Sequence, residues 1–482
     1  MSADDDDEIR VGLNGAVAKE ATGRESEGRT RESPFLYFAA FVANLLGFAA
    51  GTAASWTSPV FPKLDDPDGP LNVPIGTLQK SLVAAALCVG QTVGPFVFGD
   101  LSESIGRKKT LILIAVPMSL GLATLAFATD VRLYYLGRFL HGLGVGGCFT
   151  VLTTYTAEIA EQQNRGKFSC ISTIFLSLGI LYPYLVGNVL DVRSFSLSCL
   201  APLLAFFALF PAFAPDSPLY LVKVDETDVA ENALIRLRGG NVAYARRELA
   251  QTREFVDANR QRRRGYLEVF RSATLRRPLG IGVGLVVFQQ FSGTGVVVAF
   301  MNDILLEAGN VIPAEYGTSI VASMKVLVIF VTSTVIERLG RRILLLASAA
   351  GCATANACLG LYLSLKTSDP IAVERLSWLP LICLAVYVVS FNLGIGSVVW
   401  VVVSEIFPSG VRATASAVVT ACCFASTTLI VFVFPIVTER LGMAASFWIF
   451  GCCCVTSFAF IYNAVPETKG KSFAEIQKIL SR

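Results

Sequence analysis

The sequence predicts an all-α membrane protein of twelve transmembrane helices arranged as two six-helix halves. Three observations predict this fold class: an apolar composition, twelve apolar runs of membrane-spanning length, and a repeat of charged motifs. Of the 482 residues, 53% are hydrophobic and only 16% are charged, and the mean hydropathy is +0.59. Because a soluble globule of this size needs more polar surface, the bilayer must solvate much of the chain.

The apolar runs have the length that a membrane crossing requires. A bilayer core about 30 Å thick needs roughly 20 apolar residues for each helix that spans it. The runs lie near residues 35–57, 79–100, 109–128, 133–157, 168–190, 195–213, 279–305, 316–336, 342–365, 377–403, 413–437 and 442–464. A polar segment precedes the first run and no cleavage pattern follows it, so we expect a retained helix rather than a signal peptide.

The distribution of Lys and Arg predicts the orientation. Arg107, Arg165, Arg338 and the Arg-rich stretch between the sixth and seventh runs fall on one side, whereas the alternate loops are poor in Lys and Arg. Positive loops remain cytoplasmic, so we expect both termini in the cytoplasm of a multi-pass protein, in the plasma membrane. The net charge of +3 reflects this topology, and no nucleic-acid partner is expected.

The chain divides into five predicted segments. They are a disordered cytoplasmic tail at 1–32, an N-terminal six-helix half at 33–213, a cytoplasmic linker with short helices at 214–278, a C-terminal half at 279–465 and a cytoplasmic tail at 466–482. The first tail contains four consecutive aspartates and too little apolar surface to fold alone.

A charged pattern after the second and fourth runs recurs after the eighth and tenth. Its members are Glu103, Arg107, Glu158 and Arg165 in the first half and Glu337, Arg341, Glu405 and Arg412 in the second. The repeat predicts duplication of a six-helix unit, with a binding site between the halves. We expect these groups to pair across the halves as a gate, since exposed ion pairs of about 0 to 1 kcal/mol break readily. The alternative is that they only set topology.

Seven motifs in register resemble the sugar-porter family of the major facilitator superfamily. They are Gly99 to Lys109, Gly137-Arg138, Tyr155 to Glu158 with Arg165, Pro215 to Pro218, Gln289 to Gly293, Trp400 with Glu405 and Arg412, and Pro466 to Gly470. The segment Ser55 to Pro59 is also similar to insect facilitated trehalose transporters. The resemblance implies the major facilitator fold and transport of a small-molecule solute, a sugar, by alternating access.

Four residues are predicted to bind that solute. Gln289 and Gln290 offer amide donors and acceptors that suit a hydroxyl-rich ligand, and Trp400 offers a face for the C–H surface of a sugar. The resemblance places these three in the family's sugar site. Asn392, eight residues before Trp400, keeps a polar group where the family usually has Glu.

Other positions depart from the family pattern. Gly295 and Cys423 stand where the family has Asn, and the prolines of the tenth run are missing, which predicts a stiffer helix there. Lys325 replaces another solute-contacting Asn in the eighth run. An ammonium so far inside a membrane is functional by default, so we expect it to bind solute. A Lys neutralised by burial or hydrogen-bonded to cavity groups is equally compatible.

The absence of certain residue types from the sequence narrows the possible functions. Ala49 occupies the position at which proton-coupled members carry an acid, which favours facilitated diffusion. No nucleophile and base constellation, nucleotide loop or metal-ligand spacing occurs, so we expect no enzyme, catalytic residue, metal or cofactor. No obligate protein partner is predicted.

Three functions remain open. The first is a sugar or polyol carrier, the second is a carrier of an organic anion or acidic sugar that uses Lys325, and the third is a transport-inactive nutrient sensor.

Overall fold

The computed structural model describes residues 33–66, 69–71, 74–161, 164–259, 273–309, 312–369, 373, 375–407 and 412–468. At 258–259, 273–274, 333–338 and 412–413 it describes the backbone alone. The predicted tail at 1–32 and most of the one at 466–482 lie outside the described residues.

Seven helices form the first half, because its first span is divided in two. They are α1 (Pro34–Ser55), α2 (Thr57–Asp65), α3 (Thr77–Ile105), α4 (Arg107–Ala126), α5 (Val131–Ile159), α6 (Arg165–Val186) and α7 (Val192–Phe213). The chain turns between α1 and α2 at Trp56, whose ring is fully buried. The indole N–H donates to the hydroxyl of Ser196 on α7 at 3.2 Å, so this polar group is satisfied inside the bundle.

Three short helices follow the first half. They are α8 (Pro218–Lys223), α9 (Thr227–Leu237) and α10 (Val242–Asn259). The hydroxyl of Ser217 accepts from the backbone N–H of Tyr220 and caps α8. A small apolar cluster separate from the main core holds the three together. We call the end of the bundle that carries them the linker end, and the opposite end the far end.

Eight helices form the second half, because its first and fourth spans are both divided. They are α11 (Ala273–Phe291), α12 (Thr294–Ala308), α13 (Ala314–Leu339), α14 (Arg341–Ser368), α15 (Leu379–Leu393), α16 (Val398–Ile406), α17 (Arg412–Leu441) and α18 (Met443–Ala464). In the described chain, eleven spans are long and apolar enough to cross a membrane. The twelfth is α5, which carries Arg138, His141 and five glycines in the bundle interior.

The two halves repeat the same packing. In each half the second and third spans pack on the fourth, and the first packs on the fifth. Between the halves, α3 packs on α17 and α6 packs on α13. In both contacts the second span of one half packs on the fifth span of the other. The predicted two-repeat architecture is therefore present in the arrangement of the helices.

The tenth span, for which the sequence predicted a stiffer helix, is interrupted. The helix stops at Leu393 and resumes at Val398 although residues 394–397 contain no proline. The first residue of the interruption must be glycine, because a Cβ at Gly394 would lie 2.3 Å from the carbonyl oxygen of Leu344. Gly293, which divides the seventh span, has a φ of 97° that favours glycine.

The halves meet at the far end. The hydroxyl of Thr57 on α2 donates to the carbonyl of Ala299 on α12 at 2.9 Å, and the Tyr184 hydroxyl on α6 donates to the carbonyl of Val298 at 2.6 Å. Every hydrogen bond between the halves in the described part of the chain lies at this end. The structure is therefore closed at the far end.

Candidate solute-binding site

Gln289 joins the breaks of the seventh and tenth spans. Its amide nitrogen donates to the carbonyl oxygen of Ile395 at 2.7 Å and to that of Gly396 at 3.3 Å. Both carbonyls belong to the interrupted stretch between α15 and α16, where the helical bonding pattern is lost. Gln289 is buried, so its amide N–H groups serve the backbone of the second half.

Gln290 has more capacity left for a solute. Its amide nitrogen lies 3.0 Å from the sulfur of Cys423 on α17 and 3.5 Å from the side-chain oxygen Oε1 of Gln289. Its own carbonyl oxygen accepts no hydrogen bond from the described residues. Thiol sulfur is a weak acceptor, so a solute hydroxyl would compete well for this amide.

Asn392 and Trp400 lie on either side of the break in the tenth span. The amide nitrogen of Asn392 donates to the Val388 carbonyl of its own helix at 2.7 Å, which leaves its amide oxygen available. Trp400 is on α16 and is 38% exposed. Because of the break, Asn392 lies on α15 and Trp400 on α16. The sequence spacing alone did not predict that they belong to separate helices.

Lys325 lies in the middle of α13. It follows the start of the helix by about 16 Å and precedes its end by about 21 Å at 1.5 Å per residue. It belongs to a buried stripe at helical spacing that comprises Thr318, Val321, Ala322, Val328 and Thr332. Lys325 as a residue is half-buried, and its ammonium makes no hydrogen bond or ion pair with the described residues. The sequence predicted an interior position, and α13 presents Lys325 on its buried face.

Two polar residues that the sequence reasoning missed support the break in the seventh span. The Asn356 amide on α14 donates to the carbonyl of Ser292 at 3.1 Å. The hydroxyls of Ser292 and Tyr387 lie 3.1 Å apart. Asn356 is buried within an apolar helix, and an intramembrane amide of this kind was the available signal.

The charged cluster of the first half is compact and buried. Arg107 donates from Nε to Glu158 at 3.0 Å and from Nη2 to Glu103 at 2.7 Å, and from Nη1 to the carbonyl of Ser102. The Arg107 side chain is 2% exposed and that of Glu158 is 10% exposed. The acceptors all belong to the first half, so this cluster ties α3, α4 and α5 to one another.

The second half has an equivalent but more exposed pair. Arg341 donates from Nη2 to Glu405 at 3.2 Å, and the two side chains are 19% and 27% exposed. Arg341 corresponds to Arg107 and Glu405 to Glu158 in the repeat. This pair likewise joins helices of a single half.

The described ion pairs of the charged repeat do not join the two halves in this conformation. The described pairs of Arg107 and Arg341 lie within their own halves. Arg165 is exposed and forms no ion pair with the described residues. The side chains of Glu337 and Arg412 lie outside the described residues. The expected gate across the halves therefore stays a prediction.

Two carboxylates cap equivalent helices, a role that the sequence reasoning did not assign. Asp216 accepts from the backbone N–H of Lys108 at the start of α4. Glu467 accepts from the N–H groups of Arg341 and Arg342 at the start of α14, at 3.0 and 3.1 Å. A carboxylate at a helix N-terminus is favourable because the first N–H groups have no helical partner. The signal was the repeated Pro and acid motif after the sixth and twelfth spans.

The linker helices are fixed to the first half by Arg238. Its fully buried guanidinium makes two hydrogen bonds to Glu248, at 2.7 and 2.6 Å, and donates to the carbonyl of Ile159 at the end of α5. Glu161 lies 3.8 Å away. Arg238 follows α9, Glu248 lies on α10 and Ile159 ends α5, so these contacts hold α9 and α10 against the first half at the linker end.

Comparisons with known proteins agree with this architecture. The family model described as sugar (and other) transporter matches residues 30–480. The chain belongs to that family. A facilitated trehalose transporter homolog of Drosophila simulans is 31% identical over 442 residues, which cover 91% of this chain and 90% of that relative. The facilitated trehalose transporter of Bombyx mori is 29% identical and covers 94% of this chain and 88% of the relative.

Solved structures of a xylose transporter share the fold. The xylose transporter XylE of E. coli in a partially occluded inward-open conformation superposes with a TM-score of 0.75 at 24% identity, covering 91% of this chain and all of XylE. Its inward-open conformation gives the same TM-score. This chain therefore has the twelve-helix, two-repeat major facilitator fold. Its family and relatives are transporters, not enzymes.

Proposed function

We propose that the protein carries a sugar or sugar-like polyol across the plasma membrane by facilitated diffusion with alternating access. The observation that supports this proposal is a group of side-chain amides at the breaks of the seventh and tenth spans. Gln290 and Asn392 keep hydrogen-bonding capacity, while Gln289 and the backbone hold the breaks in place. Membership of the family and its trehalose-transporting relatives support a sugar as the solute.

The linker end is proposed to face the cytoplasm. Arg107, Lys108, Arg165 and Arg341 all lie at this end, and positive segments are retained on the cytoplasmic side. Both termini then lie in the cytoplasm. Since the halves are hydrogen-bonded at the far end, the conformation described here would be the inward-facing one.

The charged clusters are proposed to act in gating as two preformed units. Glu103, Arg107 and Glu158 hold one half rigid at the linker end, and Arg341 with Glu405 holds the other. In the outward-facing state the two units would approach, and exposed groups such as Arg165 would gain partners from the second half. We propose the same role for Glu337 and Arg412.

Uptake of labelled solutes into proteoliposomes tests the function. The panel should contain glucose, trehalose, a polyol and glucuronate, and empty liposomes supply the background. We expect saturable uptake of a neutral member, reduced by Gln290→Leu through a raised KM. Saturable binding without uptake of any member would support the nutrient sensor instead, and no binding would contradict a sugar site.

The second candidate, transport of an organic anion or acidic sugar, is favoured by Lys325. The ammonium of this half-buried lysine has no partner among the described residues and attracts a carboxylate more strongly than a neutral hydroxyl. Lys325→Asn should then abolish glucuronate uptake and leave neutral uptake intact. Lys366→Met, which removes the same charge from α14 at the far end, is the matched control. Glucuronate uptake that survives Lys325→Asn would exclude this candidate.

A further inference from the structure

An aromatic contact joins the two halves in the middle of the bundle. The rings of Phe149 on α5 and Phe424 on α17 have centroids 5.8 Å apart and planes inclined by 54°. Both residues are half-buried. This contact is separate from the hydrogen bonds between the halves, which lie at the far end.

The two rings lie at the depth of the solute amides. Phe149 precedes the linker end of α5 by about 15 Å, and Phe424 follows the linker end of α17 by about 18 Å, at 1.5 Å per residue. The sulfur of the adjacent Cys423 lies 3.0 Å from the amide nitrogen of Gln290. Helical side chains lean toward the start of their helix, so the Phe424 ring extends from the level of that sulfur toward the linker end.

The gap between the halves is open on the linker side of the ring pair. Thr153 and Ala157 lie one and two turns beyond Phe149 on the same face of α5, and both are exposed. Because the Phe149 ring contacts α17, this face of α5 is directed at the second half. On α17, Thr420 lies one turn from Phe424 toward the linker end and is half-buried. Hydroxyl side chains on both helices indicate a water-filled path that leads to the linker end.

On the other side of the ring pair the same face of α5 is closed. Val145 and His141 continue this face toward the far end, and both are fully buried. Exposure along the face therefore ends at Phe149. The ring pair lies where the open path meets the closed part of the bundle, next to the segment of α17 that contacts Gln290.

We propose that Phe149 and Phe424 form a size-selective constriction between the solute amides and the linker end. A solute that leaves the amides for the linker end has to part the two rings, and a wider solute needs a wider separation. Phe149 is then a specificity-determining residue that the first half supplies opposite the amides of the second. This inference rests on the proposed function, because a size limit needs a transported solute.

Uptake of neutral sugars of increasing size into proteoliposomes tests the constriction. Glucose, trehalose and raffinose differ by one sugar ring at each step. Phe149→Ala should raise the ratio of raffinose to glucose uptake about tenfold, within the usual range for steric discrimination by a pocket. Phe149→Leu keeps an apolar side chain and should give a smaller rise, which separates the width of the passage from loss of folding.

Phe38→Ala is the matched control. Phe38 contacts the ring of Phe213 with centroids 5.7 Å apart, but both residues belong to the first half. The size ratio should stay unchanged in this variant. An unchanged ratio in both Phe149 variants, or an equal rise in Phe38→Ala, would overturn the constriction.

Labelling of Cys423 by N-ethylmaleimide tests the passage without a transported solute. Cys423 is buried beside Gln290, and the far end is closed, so the reagent has to arrive from the linker end. In solute-free protein in nanodiscs, tandem mass spectrometry distinguishes Cys423 from Cys422. Phe149→Ala should accelerate labelling of Cys423 severalfold, and Phe38→Ala should not. Faster labelling without uptake of any sugar would contradict the proposed function alone, whereas an unchanged labelling rate would count against the constriction itself.

Discussion

The amide nitrogen of Gln289 lies 2.7 Å from the carbonyl oxygen of Ile395, so one side chain bridges the breaks in two spans of the second half. Unsatisfied backbone carbonyls are costly in a membrane, where no water replaces the lost partner. The amide therefore stabilises the broken conformation of the tenth span. This role separates Gln289 from Gln290, although the two are adjacent in sequence.

Gln289→Leu should lower the apparent melting temperature of the purified protein. The substitution leaves two carbonyl oxygens of the break without a donor, which costs about 1 to 3 kcal/mol for a buried group. Thermal unfolding followed by intrinsic fluorescence in detergent measures the effect.

Gln290→Leu is the matched control, because its amide donates to a weaker sulfur acceptor. We expect a smaller change in melting temperature and a larger rise in KM for the transported sugar. If Gln290→Leu proved the more destabilising of the two, the assignment of separate roles would be wrong.

Arg238→Met should release the linker helices from the first half. The fully buried Arg238 satisfies Glu248 and the carbonyl at the end of α5, so its loss leaves a partly buried acceptor unpaired, at a cost of about 1 to 3 kcal/mol. Amide hydrogen exchange in α9 and α10 should accelerate. Arg246→Met is the control, since its pair with Glu231 is exposed and screened by solvent. Similar exchange rates in the two variants would contradict a docking role for Arg238.

A pH gradient should not drive solute accumulation. The helix α1 contains no Asp, Glu, His, Lys or Arg, and Ala49 is fully buried at the position where the family resemblance places the acid of proton-coupled members. We therefore expect labelled sugar in proteoliposomes to reach equal concentrations inside and outside, with or without an imposed gradient. Accumulation severalfold above equality that nigericin abolishes would show proton coupling.

Much of the fold follows from hydropathy in the sequence. The predicted runs match the helices to within a few residues at most ends, since the length of an apolar run is set by the bilayer. The breaks at Trp56, Gly293 and Gly394 were not predicted. Each depends on a contact from another helix, such as the one between Trp56 and Ser196, and a local pattern does not encode such contacts.

The candidate site was predicted in its residue types but not in its roles. Motif spacing placed Arg107 and Glu158 at helix ends, yet it does not determine which ends meet in a given conformation. Pairing within one half is a property of the tertiary arrangement. Similarly, the sequence identified Gln289 as polar and intramembrane, but its bond to the backbone of another span required the broken helix to be seen.

The two equivalent carboxylates Glu158 and Glu405 should respond differently to charge reversal. Glu158→Lys would place a second cation beside the buried Arg107, so we expect misfolding and loss of surface expression. Glu405→Lys affects the more exposed pair with Arg341, so the protein should reach the surface while transport falls strongly because the linker-end unit loses its shape. Surface biotinylation combined with uptake separates the two outcomes. Normal uptake per surface molecule in Glu405→Lys would remove Glu405 from the gate, and equal surface expression of the two variants would contradict the difference in burial as its cause.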